Sequence, residues 1–169
     1  RGLAVYSPKP LKETFGWRAV QDGDQPPPTL TLDLGDIYPL DDIFLIPAQI
    51  VLGESRTLFP MRIRIEAALE KDFSDARVIY ETRQKIHENQ DGYPMRIVAR
   101  DVDARSVRLR VLLGHHRGFQ SISSRAEMVI ISGGEPVSFG AKVSAHGSLD
   151  DPGYWDANYV IDGRSPLGT

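Results

Sequence analysis

Met61-Arg62-Ile63-Arg64-Ile65-Glu66-Ala67 alternates strictly, with Met61, Ile63, Ile65 and Ala67 on one side and Arg62, Arg64 and Glu66 on the other. Successive side chains of an extended strand point to opposite faces, so this stretch buries one face and leaves the other in water. On a helix the same residues would mix apolar and charged groups around the axis. Val107-Arg108-Leu109-Arg110-Val111 repeats the pattern, and Thr29-Leu30-Thr31-Leu32-Asp33-Leu34 sets three leucines on one face. Asp42–Ile46, Arg77–Glu81, Met95–Arg100 and Glu127–Ser132 read as further strands. From Met128 to Ile131 both faces are apolar, as in a strand covered on two sides.

Working outward, 15 Gly and 12 Pro divide the chain into short segments. No window sustains a helical period; Glu66–Asp75 has room for a turn or two. Short strands between turn residues, without alternating helices, predict an all-β, antiparallel β-sandwich of the jelly-roll kind. The inward sets Leu30/Leu32/Leu34, Ile63/Ile65 and Val107/Leu109/Val111 each need a facing sheet. About eight strands up to Ser132 is the expectation.

The 169 residues suffice for one full domain and a fragment of another. Hydrophobic residues at 41% and charged residues at 25% are the balance of a globular chain. Twenty Lys+Arg against 23 Asp+Glu leave a net charge of -3, without the basic excess of a nucleic-acid binder. No apolar run reaches the roughly 18 residues of a membrane span, so no membrane insertion is expected. The longest such run, Ile43–Leu52, contains Pro47 and Gln49. Absence of Cys excludes disulfides, Cys-ligated zinc and thiol catalysis. The chain opens at Arg1 with no basic and apolar leader, and reads as a piece of a longer protein or a processed form.

Ser132-Gly133-Gly134-Glu135-Pro136 reads as a turn or linker. It divides residues 1–132, one sandwich, from 133–169, a linker and the beginning of a second similar module, or a tail packed on the first. Trp17-Arg18-Ala19-Val20-Gln21-Asp22-Gly23 is echoed by Trp155-Asp156-Ala157-Asn158-Tyr159-Val160-Ile161-Asp162-Gly163. The tail holds Val137, Phe139, Val143, Trp155 and Val160, too few for a core and too many to leave in water. It is therefore expected to pack on the first sandwich or on another chain.

Catalysis finds no foothold. The carboxylate pairs Glu66/Glu70, Asp41/Asp42 and Asp150/Asp151 are adjacent or surface pairs, not the facing pair that glycoside hydrolysis uses. No Gly-x-Ser-x-Gly elbow and no phosphate-binding glycine loop occurs.

Five segments in order resemble the discoidin / coagulation-factor type C domains, the galactose-binding-like sandwiches that include family 32 carbohydrate-binding modules. They are Ala19-Val20-Gln21-Asp22-Gly23-Asp24, Leu30-Thr31-Leu32-Asp33-Leu34-Gly35, Ile63 to Phe73, Ala104-Arg105-Ser106-Val107-Arg108-Leu109 and Ala126-Glu127-Met128-Val129. Glu135-Pro136-Val137-Ser138 and Val143-Ser144-Ala145 resemble the opening of a second copy. The resemblance implies a non-catalytic carbohydrate-binding module of a larger exported bacterial protein, secreted, periplasmic or on the cell surface. Its partners would be a glycan or polysaccharide and other domains of the same polypeptide. The alternative is an architectural or protein–protein interaction sandwich without sugar binding.

Asp22-Gly23-Asp24 is by itself an Asx-type turn. In the family such a turn helps form a structural calcium site completed by a Glu of the closing strand. That implies Ca²⁺ held by Asp22, Asp24 and Glu127, a hard cation on hard oxygen donors. His115 and His116 are adjacent, so on an extended chain they point apart and do not share a metal. The resemblance places their loop at the sugar-binding end of the sandwich. There Phe119 would stack on a sugar while Arg117, His115 or His116 donate to its hydroxyls. Arg56 and Tyr93, near loop tips beside Gly53 and Gly92, are further binding-face candidates. Arg62, Arg64, Arg108 and Arg110 read as a solvated sheet face.

Overall fold

The computed structural model describes residues 16–48, 58–83, 93–117, 120–125, 127–151 and 155–163. Arg56 and Phe119 lie outside them, as does the side chain of Arg117.

Among the described residues ten strands run in chain order. They are β1 (Trp17–Asp22), β2 (Thr29–Ile46), β3 (Arg62–Ala68), β4 (Arg77–Glu81), β5 (Met95–Leu113), β6 (His115–Arg117), β7 (Gln120–Arg125), β8 (Glu127–Ser132), β9 (Glu135–Pro136) and β10 (Lys142–His146). A 3-10 turn, Ala157–Ile161, follows. One sheet has the order β4-β3-β5-β2-β8-β9, with β10 added beside β2; the other is β1-β7-β6. Neighbouring strands pair antiparallel throughout. The fold is the all-β antiparallel sandwich that the alternating segments predict.

The sequence suggests separate strands over 29–34 and 42–46, but the structure runs them together as the 18-residue β2. The chain manages this by slipping its pleat. Leu30, Leu32, Leu34 and Leu40 are buried at even positions, Ile43 and Leu45 at odd ones. Register shifts against β5 between Asp33 and Tyr38 and between Leu40 and Asp42 absorb the change. Gly35, at φ 87°, sits in the first of these shifts, where left-handed backbone suits glycine.

Trp17 and Ala19 of β1 meet Leu30, Leu32, Ile43, Leu45, Ile63, Ile65, Val107 and Leu109 in one core. Burying an aliphatic side chain of this size stabilises by about 1.5–3 kcal/mol, so the alternating segments supply most of the driving force. On the outer side, Glu66 accepts from Arg108 and Arg110, and Arg96 binds Asp42 through two bonds of 2.9 Å.

The chain after Ser132 returns to this same sandwich. A turn at Gly133 and Gly134, both with positive φ, folds β9 back on β8. β10 then pairs with Thr29–Asp33 of β2, along the edge whose other half takes β8. Val20 N donates to Gly147 O, Leu149 N to Arg18 O and Asp156 N to Gly16 O. Trp17 Nε1 donates to Ser148 Oγ at 2.8 Å. Trp155 is buried against Ala48 and Ile46, and Val160 joins the main core.

Candidate functional site

β6 and β7 form a short hairpin in which His115 lies opposite Ile122 and His116 opposite Ser121. The two imidazoles therefore take opposite faces, as extended backbone requires. His115 turns inward: it is half-buried, and its Nε2 lies 2.8 Å from the Phe59 carbonyl oxygen. A carbonyl only accepts, so Nε2 carries the proton and donates to it. This hydrogen bond engages Nε2 and fastens β6 to the segment before β3.

His116 points outward and is exposed. With Gln21, Gly23, Leu113 and Ser121 it lines an open cleft of about 180 Å³. The cleft exists because β1 pairs with β7 and ends at Asp22, opposite Gln120, bringing the turn after β1 beside the β6–β7 hairpin. Gln21 Nε2 donates to Gln25 O at 2.8 Å and so braces that turn. Ser121 Oγ accepts from Gly114 N at 3.1 Å, leaving its own proton for an acceptor in the cleft. Gly23 has φ 51° and no neighbour within 4 Å of a Cβ position, so the backbone is bare at the rim. Imidazole, hydroxyl and amide beside the apolar Leu113 can bind a small polyhydroxylated group. Gln21, Leu113 and Ser121 escape a sequence reading; only the pairing of β1 with β7 assembles them.

Tyr93 is 71% exposed and precedes the start of β5, whereas the cleft lies past its other end at Leu113. The cleft does not include Tyr93.

Glu127 opens β8 opposite Ile46 and is only 3% exposed. Gly163 donates a backbone hydrogen bond to it, and Oε1 has no hydrogen-bond partner. Burial, and then the nearby Asp162 carboxylate, push its pKa up to about 7. Asp22 ends β1, in the other sheet, and Asp24 lies in the turn that follows it; both are exposed. Among the described residues no group of three or more His, Asp or Glu is arranged to hold a metal ion. The expected trio Asp22, Asp24 and Glu127 is thus not brought together. The acidic residue beside Glu127 belongs to the later Asp-Gly turn, and the echo between the two Trp segments was the signal for it. A buried carboxylate oxygen without a donor, next to a second carboxylate, suits a hard cation; Glu127 and Asp162 are the residues that would hold it.

No family model matches this sequence, and no curated protein matches it significantly. Solved structures do. A family 32 carbohydrate-binding module from a family 31 glycoside hydrolase of Clostridium perfringens is similar at a TM-score of 0.52 and 18% identity, over 71% of this chain and 76% of that one. A family 32 module of a family 89 enzyme from the same organism, in complex with GalNAc-β-1,3-galactose, gives 0.49 and 18%, over 78% and 85%. The family 32 module of C. perfringens NanJ, in complex with galactose, gives 0.48 and 16%, over 67% and 74%. At such identities the likeness speaks for the fold alone: the two antiparallel sheets form a β-sandwich like that of the module from the family 31 enzyme.

Proposed function

We propose that this chain is a non-catalytic carbohydrate-binding module of a larger exported bacterial protein, and that it takes a glycan end at the cleft lined by His116. The observation that carries the reading is the meeting of Gln21, Gly23, Leu113, His116 and Ser121 at one end of the β1-β7-β6 sheet. A shallow preformed cleft of this size suits one sugar residue, with affinities of about 1 mM to 1 μM. The neighbours of known structure that hold galactose or GalNAc-β-1,3-galactose support a galactose-type ligand. Their attachment to glycoside hydrolases supports a multidomain parent. Calcium belongs to the same reading, as a structural ion at Glu127 and Asp162 that ties the tail to β8 and takes no part in chemistry.

A glycan array probed with and without calcium tests the proposal. His116→Ala should weaken binding of galactose-terminated glycans about tenfold, the worth of one good hydrogen bond, and leave the melting temperature unchanged. An array on which no glycan is retained would overturn it in favour of the interaction-module alternative.

A further inference from the structure

The outer face of β3 and β5 is held in an unusual electrostatic arrangement. Arg64 and Arg110 stand directly opposite each other, and Arg108 is opposite Glu66. Like charges in such cross-strand positions are destabilising. Glu66 offsets this from below: it is buried, and its Oε2 accepts from Arg108 Nε and Arg110 Nε, each at 2.8 Å. Burial raises the Glu66 pKa, but the bonds from Arg110 and Arg108 outweigh it and hold the carboxyl below its usual range. Arg64 Nε donates to Glu81 Oε2 at 2.6 Å. All three guanidinium groups are therefore tethered through Nε. Among the described residues their Nη groups meet no hydrogen-bond acceptor, although their side chains remain 37%, 19% and 30% exposed for Arg64, Arg108 and Arg110.

Phe73 forms a wall beside them. Its ring lies 4.0 Å from the Arg108 guanidinium carbon. The residue sits at φ 60°, a left-handed conformation that is strained for a side chain of this bulk. Asp75 accepts from Leu69 N and Glu70 N, and Asp72 from Ser74 N, so these carboxylates brace the loop rather than face the arginines. Arg62, Arg64, Arg108 and Arg110 against Glu66 and Glu81 leave two positive charges on the face. Thr29 and Thr31 of β2 continue it opposite Arg110 and Arg108.

We propose that this face is a second glycan site, selective for acidic polysaccharides, in which the Nη groups of Arg64, Arg108 and Arg110 take a sulfate or uronate beside the Phe73 ring. Guanidinium forks match oxyanions in two-bond geometry, and preset Nε tethers remove much of the ordering cost. Adjacent strands lie about 4.8 Å apart, close to the length of one pyranose residue, so successive acidic sugars can meet successive strands. The site is independent of the His116 cleft.

Affinity electrophoresis of the whole chain in gels of dextran sulfate, polygalacturonate or neutral galactan tests it. Retardation is expected in one or both acidic gels, sulfate and carboxylate being told apart by which gel retards. Arg64→Gln, which breaks only a half-exposed ion pair and should fold normally, is expected to weaken it about tenfold. Arg110→Lys, keeping the charge and losing the fork, should weaken it too, whereas His116→Ala should not. Unchanged retardation of Arg64→Gln, no retardation in either acidic gel, or equal binding of duplex DNA at equal salt would each overturn the proposal. A failed cleft with intact acidic binding would refute the function proposed above and leave this one standing.

Discussion

Deprotonating Glu127 places a charge where Oε1 has no donor and Asp162 is close by. Its pKa rises from 4.5 in the unfolded chain to about 7 in the fold, so the folded state holds its proton more tightly. Below the unfolded value the carboxyl is neutral in both states and costs nothing. As pH climbs through the window up to about 7 the fold loses stability, on the order of 3 kcal/mol at most. In EDTA, the wild type should therefore melt at a lower temperature at about pH 8 than at about pH 5.5, and Glu127→Gln should flatten that slope. Calcium should restore the wild type at the higher pH and leave the Gln variant unmoved; a wild-type melting temperature indifferent to both pH and calcium would remove the site. Glu127 was legible only through the family resemblance, in which a Glu of the closing strand completes a calcium site. Its neighbour was not, since Asp162 lies 35 positions further on and is delivered by the packing of the tail. His115 and His116 show the same limit. Alternation says that they part, but which one faces inward depends on where Phe59 offers its carbonyl.

Among the elements, the segment joining β10 to β1 is the most exacting. Gly147 has φ 72°, and a Cβ there would lie 3.1–3.2 Å from Pro28. Its carbonyl also accepts from Val20 N. Gly147→Ala should cost about 1–2 kcal/mol for the left-handed backbone alone, and the contact with Pro28 adds to it. The melting temperature should fall by about 3–6 °C, with glycan binding kept once the protein is folded. Gly140→Ala is a useful comparison, because φ is 85° there but nothing lies within 4 Å of the Cβ position. Equal losses in the two variants would mean that the Pro28 contact contributes nothing. The strands themselves were legible because burial imposes period two on each of them. Their lengths were not, since the slips that fuse 29–34 with 42–46 depend on β5, whose own Asp101 takes φ 65° at the second shift.

For the molecule as a whole, the tail and the body share one core. Truncation after Gly134 would uncover the β2 edge at Thr29–Asp33, strip Trp17 Nε1 of Ser148 and remove Val160 from the core. A chain ending there should lose its cooperative thermal transition, and adding the 135–169 peptide in excess should restore part of it. An unchanged transition in the shorter chain would make the tail an appendage, the opening of a following module. Alternation along the chain was enough for the all-β class, the inward and outward faces of the strands and the polarity of the arginine face. These are local consequences of alternation, which any half-buried strand must obey. Folding in three dimensions was needed to bring Gln21, His116 and Ser121 into one cleft, Asp162 to Glu127 and Glu66 beneath two arginines. Such meetings join residues far apart in the chain, and strand pairing and register, which minimise the energy of the whole sheet rather than of any one segment, choose them.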